Sequence, residues 1–369
     1  MKAWNETLDT IKPYTVASHK IWAVAPEERS RILKLDWNEA TVPPSPLVKQ
    51  RLRELMEQED VFRLYPSTFN EELMARLAQY TGLPEENIQY FGGSDDLHEY
   101  LARAYLTAGD RVLILWPSYD NFRLTAESTG ARLYYAELGE DFAFDETDFR
   151  RRLEAVKPRL VYICNPNNPT GTLIPAERIK ALCGDFPDSC FVVDEAYGEF
   201  AEESADALVR ERDNLLITRT LSKAFGLANL RFGYLLASRA NIEAVSKIRN
   251  PKNINTFTQV AAVAALEDAA YMRQYAAKVQ EARSYFTETI NQGPLGAYLK
   301  AFPSRGNFVL LRCRTPEIKE VLKRQWEAAN IFVRDVRQSP SLEGCLRVTI
   351  GEKSQMERVI ETASLAFLS

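Results

Sequence analysis

Four short segments contain residue types that together could act on a phosphorylated ligand. They are Gly92-Gly93-Ser94-Asp95, Asn165-Pro166-Asn167-Asn168-Pro169-Thr170-Gly171, Val193-Asp194-Glu195-Ala196-Tyr197 and Thr220-Leu221-Ser222-Lys223-Ala224-Phe225-Gly226, with Arg231 soon after the last. Each segment alone has an ordinary structural explanation. Because they follow one another along the chain, each at the end of a predicted strand, we interpret them as one site.

The fourth segment offers three functional groups within a few residues. Lys223 is preceded by Ser222, and Arg231 follows eight residues after it. An amine can bond covalently to an aldehyde, while a hydroxyl and a guanidinium can bind a phosphate. An isolated lysine or arginine is most often a solvated charge or part of a surface ion pair. The interpretation therefore depends on the other segments.

Asp194 ends the apolar run Phe191-Val192-Val193. Its carboxylate is therefore predicted at the carboxyl end of a buried strand, where open α/β sheets bind ligands. A helix cap is the alternative explanation. A carboxylate in this place could keep a pyridine nitrogen protonated, which makes the ring of a cofactor an electron sink.

The two remaining segments are turns at strand ends. Gly92-Gly93-Ser94 lies between a predicted strand and a predicted helix, where backbone N–H groups and the helix dipole can hold a phosphate. A simple tight turn is the alternative for these three residues. In the proline-containing segment, the amide of Asn168 could reach a ring hydroxyl, and a purely structural loop is the alternative.

These motifs resemble the fold-type I pyridoxal 5'-phosphate (PLP) aminotransferases of classes I and II, and most closely the histidinol-phosphate aminotransferase family. The resemblance runs from Leu35-Asp36-Trp37-Asn38-Glu39 to Leu346-Arg347-Val348-Thr349-Ile350-Gly351. It implies that Lys223 carries the cofactor as a Schiff base and transfers protons, while Asp194 pairs with the pyridine nitrogen. It further implies that Asn168 and Tyr197 bind the ring hydroxyl and that Tyr119 stacks on the ring.

The same resemblance assigns the cofactor phosphate and the oligomeric state. The backbone amides of Ser94 and Asp95, together with Ser222 and Arg231, are expected to hold the phosphate. Tyr65, in Arg63-Leu64-Tyr65-Pro66, is expected to reach the site from a second subunit. A two-fold homodimer with shared active sites is therefore implied.

Substrate recognition is assigned by resemblance to four residues, Tyr14, Asn38, Arg334 and Arg347. Arg347 matches the arginine that binds the substrate anion, and Arg334 matches a second basic residue near the mouth of the site. A planar guanidinium suits the bidentate binding of a carboxylate or a phosphate. Tyr14 and Asn38 lie in segments expected to close over the substrate.

The implied reaction transfers an amino group between an amino acid, with glutamate and 2-oxoglutarate expected, and a small phosphorylated amine or carbonyl compound. Histidinol phosphate is the leading candidate. Three segments depart from the pattern of the family, namely Asn38-Glu39-Ala40-Thr41, Tyr14-Thr15-Val16-Ala17 and Leu227-Ala228-Asn229-Leu230-Arg231. The first two are expected near the substrate, so a different biosynthetic substrate stays open.

Two other functions are alternatives within this fold. A decarboxylase of a phosphorylated amino acid begins from the same bound state and breaks a different bond. A ligand sensor fused to a DNA-binding domain is the alternative from another class. We expect no such module, because the pattern of the large domain begins by Ser45 and because Lys223 is retained.

The elements that must position these segments form an α/β pattern between residues 45 and 270. Short β-branched runs alternate with helical periodicity, which predicts a large domain with a mostly parallel seven-stranded sheet. The predicted strands are 88–91, 111–115, 132–137, 160–164, 190–194, 215–218 and 232–237. Residues 271–369, joined by residues 1–44, are expected to form a smaller α+β domain with a long first helix.

Composition excludes several classes of protein. The formal net charge of −5, with both signs interspersed, argues against nucleic acid as a partner. No apolar run approaches the ~18 residues of a membrane span. Five cysteines without a C-x-x-C spacing argue against a disulfide framework and a zinc site, which favours a cytoplasmic location. His19 and His98 fall in no motif, so we expect no catalytic histidine and no metal site.

Overall fold

The computed structural model describes residues 6–13 and 20–368, which form two β-sheets flanked by helices. The larger sheet has seven strands in the order β2-β8-β7-β6-β5-β3-β4. Its strands are β2 (Ile88–Phe91), β3 (Arg111–Trp116), β4 (Arg132–Glu137), β5 (Leu160–Cys164), β6 (Cys190–Asp194), β7 (Leu215–Thr220) and β8 (Gly233–Ala237).

Strands β4, β3, β5, β6 and β7 pair in parallel, whereas β8 is antiparallel to both β7 and β2. The prediction of an α/β fold with a mostly parallel seven-stranded sheet is therefore confirmed. All residues of β5, β7 and β8 are buried. Strands covered on both faces are continuous apolar runs, which is why the sequence reveals them.

The smaller sheet has the order β1-β11-β12-β10-β9. Its strands are β1 (Leu33–Leu35), β9 (Leu299–Ala301), β10 (Phe308–Cys313), β11 (Ile331–Asp335) and β12 (Cys345–Thr349). Because β1 pairs in parallel with β11, the segment before the large sheet joins the smaller one. The domain boundaries at residues 45 and 270 stay a prediction.

Helices surround both sheets. They are α1 (Pro46–Met56), α2 (Glu71–Thr81), α3 (Ser94–Tyr105), α4 (Asn121–Ser128), α5 (Glu146–Val156), α6 (Ala176–Asp185), α7 (Arg239–Ser246), α8 (Thr256–Glu267), α9 (Ala269–Gln292), α10 (Pro316–Ala328) and α11 (Lys353–Phe367). The start of α1 follows from local chemistry. Oγ of Ser45 accepts a hydrogen bond from the backbone N–H of Leu47, and Pro46 occupies the first helical position.

Helix α9 links the two sheets. It is 24 residues long, and the guanidinium of Arg283 at its buried face donates hydrogen bonds to the carbonyl oxygens of Phe200 and Gly306. Phe200 lies between β6 and β7 of the larger sheet, whereas Gly306 precedes β10 of the smaller one. Within residues 6–13 and 20–368, no helix combines the length and the apolar character that crossing a membrane requires.

Candidate active site

The segments singled out in the sequence meet at the carboxyl edge of the larger sheet. Strands β5 and β6 end in register at Cys164 and Asp194, and β7 continues to Thr220. Parallel strands bring their carboxyl ends to one edge, so the loops that follow them lie side by side. Lys223 lies in the loop after β7.

The amine of Lys223 is hydrogen-bonded to the segment that follows β1. Nζ donates a hydrogen bond of 3.1 Å to the carbonyl oxygen of Trp37 and lies 5.7 Å from the ring centre of Tyr197. The pKa of this amine is lowered to about 8, first by burial and then by the positive charge of Arg347. An amine with such a pKa can be neutral near physiological pH and act as a nucleophile or a base.

The carboxylate of Asp194 is almost completely buried and is held by donors on both oxygens. Oδ2 accepts a hydrogen bond of 2.8 Å from the hydroxyl of Tyr162, and Oδ1 accepts one of 3.1 Å from the backbone N–H of Ala196. Nε2 of His98 lies 3.8 Å from Oδ2. This arrangement fixes the direction of a buried negative charge at the end of β6.

A chain of side-chain hydrogen bonds joins the two sheets beside Lys223. The amide of Asn168 donates to the hydroxyl of Tyr197 at 3.1 Å, and the amide of Asn38 donates to the same hydroxyl at 3.1 Å. Nη1 of Arg347 donates to Oδ1 of Asn168 at 2.7 Å. Burial raises the pKa of Tyr197, so its hydroxyl keeps its proton.

The side-chain oxygen and the backbone carbonyl oxygen of Asn38 also accept hydrogen bonds. Its Oδ1 accepts a hydrogen bond from the hydroxyl of Thr349, and its carbonyl oxygen accepts one from the amide of Asn307. Its φ of 54° places it in the left-handed region, which asparagine tolerates better than most residues. Asn38 thus connects β12 to Tyr197, and its predicted contact with substrate stays a prediction.

At the start of α3 lie Gly93, Ser94 and Asp95, with Arg231 beside them. Together with Ser222 of the loop after β7, they are called the anion cradle below, because they are the residues predicted to hold a phosphate. The N-cap of α3 is Gly93, with a φ of 103°, and none of the described side chains forms a cap hydrogen bond there. A Cβ on Gly93 would lie 2.8 Å from Nη2 of Arg231, so a larger residue would displace the guanidinium. The first N–H groups of α3 and the arginine therefore converge on one small volume.

The remaining side chains of the cradle are oriented by neighbours. The hydroxyl of Ser222 is buried and accepts a hydrogen bond of 2.9 Å from Thr220. The carboxylate of Asp95 lies 3.4 Å from Arg231 and accepts a hydrogen bond of 3.0 Å from the hydroxyl of Tyr119. Tyr119, predicted to stack on a cofactor ring, is thereby tied to the start of α3.

The two predicted substrate arginines are direct neighbours on the smaller sheet. Arg334 of β11 is the register partner of Arg347 of β12, and opposite residues of an antiparallel pair project from the same face. Arg347 is buried, whereas Arg334 lines a cavity of about 910 Å³ between the two sheets. Lys34 and Trp116 line the same cavity.

Two predicted residues lie apart from this constellation. The side chain of Tyr65 is 81% exposed, and its ring contacts only the ammonium of Lys252 among the interactions found in the described chain. Its proposed insertion into the site of a second subunit requires such exposure. Tyr14 lies outside the described residues.

Sequence reasoning missed three residues of the site. Tyr162 lies inside β5 and bonds Asp194, Trp37 supplies the carbonyl oxygen for Lys223, and His98 lies on α3. The first two have no distinguishing sequence signal, because an interior strand position and a backbone carbonyl look like any other. His98 had one weak signal, since a histidine four residues after the start of a phosphate-binding helix lies one turn inside it.

The comparison with known proteins decides the family. Residues 30–362 match the aminotransferase class I and II family. The chain belongs to this family. This aminotransferase is 38% identical to a dihydroxyacetone phosphate transaminase of Campylobacter jejuni over 358 residues, covering 97% of this chain and 95% of that protein. It is 34% identical to a histidinol-phosphate aminotransferase of Ruminiclostridium cellulolyticum over 329 residues, covering 88% and 89%.

A solved structure gives the same architecture. The crystal structure of histidinol-phosphate aminotransferase from Sinorhizobium meliloti in complex with PLP matches with a TM-score of 0.85 and 26% identity. The match covers 99% of this chain and 98% of that chain. This class I and II aminotransferase therefore has the fold of type I PLP enzymes, and its cofactor is PLP.

The residues of this chain fit that cofactor. PLP carries a phosphate, a pyridine nitrogen and an aldehyde. The uncapped start of α3, with Arg231 beside it, suits the phosphate, and the buried carboxylate of Asp194 suits a protonated ring nitrogen. The lowered pKa of Lys223 suits an amine that must bond to an aldehyde.

Proposed function

We propose that this aminotransferase transfers an amino group between glutamate and a small phosphorylated carbonyl compound. The observation that carries the proposal is the pairing of Arg347 and Arg334 on one face of the smaller sheet, with Arg347 bonded to Asn168. Two neighbouring guanidinium groups can receive a carboxylate or a phosphate beside Lys223. The relatives named for dihydroxyacetone phosphate and histidinol phosphate support a phosphorylated substrate.

The cofactor residues are assigned by the chemistry of their groups. Ser94, Asp95, Ser222 and Arg231 hold the phosphate, Asp194 pairs with the ring nitrogen, and Asn168 and Tyr197 bind the ring hydroxyl. Tyr119 lies against the ring. When bound, PLP supplies an electron sink that stabilises negative charge at the substrate carbon. The negative charge of Asp194 maintains that sink by keeping the nitrogen protonated.

Lys223 is assigned the proton transfers. Nζ would take the proton from the substrate carbon that bears the amino group and deliver it to the aldehyde carbon of the cofactor, and the opposite half of the reaction would run this transfer in reverse. Its pKa near 8 allows both directions at neutral pH. The hydrogen bond to Trp37 fixes where the amine rests when it carries a proton.

A homodimer completes this assignment. The loop between α1 and α2 exposes several large apolar side chains, namely Phe62, Leu64, Tyr65 and Phe69. Exposed apolar groups of this size are typical of surfaces that other chains cover. We assign this surface to a second copy of the chain, with Tyr65 reaching the phosphate of the neighbouring site.

The test follows the two half-reactions by absorbance. Purified enzyme with PLP receives L-glutamate, and loss of the visible absorbance of the aldehyde form reports the first half-reaction. After removal of glutamate, dihydroxyacetone phosphate or imidazole acetol phosphate is added, and return of the absorbance identifies the acceptor. Recovery with a phosphorylated acceptor and not with its dephosphorylated counterpart is expected.

The alternative outcomes are distinct. If glutamate changes the absorbance but neither phosphorylated acceptor restores it, the proposed substrate class is wrong. If glutamate has no effect while a phosphorylated amino acid releases carbon dioxide, the enzyme is a decarboxylase. If both acceptors restore the absorbance with similar kcat/KM, the enzyme recognises only the phosphate group of its acceptor.

A further inference from the structure

We propose that His98 is a positioning residue that holds the carboxylate of Asp194 in the direction of the cofactor ring nitrogen. The proposal rests on the assignment of Asp194 to that nitrogen. His98 touches neither substrate nor cofactor, so its action is exerted through Asp194 and the neighbouring Thr218. It gives a role to a histidine that no motif of the sequence identifies.

The geometry brings His98 and Asp194 together inside the large sheet. The side chain of His98 is completely buried, and Nε2 lies 3.2 Å from Oγ1 of Thr218 and 3.8 Å from Oδ2 of Asp194. Thr218 and Asp194 are register partners on β7 and β6. The imidazole therefore spans both strands at the level of the carboxylate, on the side from which α3 covers the sheet.

The position of the ring proton follows from hydrogen bonding. Nδ1 of His98 has no hydrogen-bond partner within the described chain, whereas Nε2 faces a hydroxyl and a carboxylate. A buried N–H without an acceptor is costly, so an imidazole with a single N–H places it on Nε2. Nε2 then donates to the hydroxyl of Thr218 and directs the positive end of its N–H dipole towards the carboxylate of Asp194, 3.8 Å away.

Aromatic packing fixes the plane of the imidazole. Its ring meets Phe122 at 5.4 Å with an angle of 85° and Tyr162 at 5.6 Å with an angle of 87°. Tyr162 is also the donor to Oδ2 of Asp194. At 3.8 Å from Oδ2, the imidazole is too far to form a hydrogen bond with the carboxylate. It supports the carboxylate by the electrostatic attraction of its N–H and by packing against the tyrosine that bonds the same oxygen.

Helix α3 carries both His98 and part of the anion cradle. Ser94 and Asp95 belong to the anion cradle at the start of α3, and His98 lies one turn further along. One helix thus positions both the group that receives the phosphate and the group that orients the carboxylate for the ring nitrogen.

The test compares two cofactors by binding. PLP and its 1-deaza analogue, in which C–H replaces the ring nitrogen, are titrated into cofactor-free protein, and the dissociation constants are measured by fluorescence. The wild-type protein should prefer PLP, because only PLP can pair with Asp194. His98→Phe, which retains a planar ring without the N–H, should lower this preference about threefold to tenfold, because the carboxylate loses the orienting effect of a nearby N–H dipole.

Two further variants separate positioning from packing. The amide nitrogen of His98→Gln can occupy the place of Nε2, and that of His98→Asn the place of Nδ1. Gln should preserve the preference for PLP and Asn should not, even if Phe at this position fails to fold. Equal weakening of both cofactors by all three variants, or equal preference in Gln and Asn, would show that His98 only fills the core.

A further variant tests separately whether Asp194 pairs with the ring nitrogen of the cofactor. Asp194→Asn should abolish most of the preference for PLP. If the wild-type protein binds both cofactors equally, Asp194 does not pair with the ring nitrogen and the assignment itself is wrong. If the wild type discriminates and His98→Phe discriminates equally well, only the role of His98 is refuted.

Discussion

Nη1 of Arg347 donates a hydrogen bond of 2.7 Å to Oδ1 of Asn168, and so ties the smaller sheet to the loop after β5. The opposite end of the same amide donates to Tyr197. One asparagine therefore orients the proposed substrate arginine and the proposed partner of the cofactor ring hydroxyl. Because both hydrogen bonds are buried, a shift of either group is transmitted to the other.

Replacing Arg347 should lower the catalytic efficiency of the enzyme with the amino donor glutamate. Arg347→Lys retains a positive charge but loses the planar fork, so kcat/KM for glutamate should fall about 10-fold to 100-fold. Steady-state kinetics with varied glutamate measure the change. Arg324→Lys, an exposed arginine on α10, is the matched control and should match the wild type. Unchanged kcat/KM in Arg347→Lys would refute its role in binding the substrate anion.

Removing Lys223 should abolish turnover. Lys223→Ala loses the only amine assigned to proton transfer, and we expect a loss of about 10⁴-fold or more. A coupled assay that detects 2-oxoglutarate formed from glutamate provides the measurement. Lys247→Ala removes an exposed lysine and should retain full activity. Full turnover in Lys223→Ala is the outcome that contradicts the mechanism.

Cofactor incorporation should depend on the ionisation of Lys223. Only the neutral amine attacks an aldehyde, and the pKa is lowered to about 8. The rate of PLP incorporation into cofactor-free protein should therefore rise about tenfold per pH unit below that value and level off above it. Stopped-flow absorbance at several pH values measures the profile.

The same profile tests the contribution of Arg347. Burial is the largest cause of the lowered pKa of Lys223, and the charge of Arg347 is the second. Arg347→Gln removes a positive neighbour, so the midpoint of the profile should move to higher pH, towards the ordinary lysine value. A midpoint that stays near 8 would show that the charge of Arg347 does not contribute to the lowered pKa.

Gly93 should be required for cofactor binding. A Cβ there would lie 2.8 Å from Nη2 of Arg231, so Gly93→Ala should raise the dissociation constant for PLP about tenfold or more, the loss of one charge-assisted hydrogen bond. Gly82→Ala is the matched control, because Gly82 also has a positive φ but nothing within 4 Å of the added carbon. It should lose about 1 kcal/mol of stability and keep its affinity for PLP.

Shared active sites can be tested by mixing two inactive proteins. Tyr65→Ala and Lys223→Ala should each impair the homodimer. Mixed dimers would contain one site with both defects and one site with neither, so a randomised mixture should regain about a quarter of the wild-type activity. No recovery after exchange of subunits would contradict the assignment of Tyr65 to the partner site.

The strands of the larger sheet could be predicted because their signal is local. β5 and β6 are continuous runs of apolar and β-branched residues, and their predicted bounds agree with the structure. Strands β1, β9 and β11 of the smaller sheet were not predicted, because they lack this signal. β1 and β9 have three residues each, and β11 has one buried residue followed by half-buried ones, which gives neither alternation nor a continuous apolar run.

The fold class, the order of the motifs and the candidate amine and carboxylate could be inferred from local sequence patterns. Which distant groups meet them became clear from the packing of the chain. The carbonyl of Trp37 that receives Lys223 is 186 positions away along the chain, and Asn168 is 179 positions from Arg347. Local patterns reflect backbone preference and burial, whereas such contacts depend on how two sheets pack, which no single segment encodes.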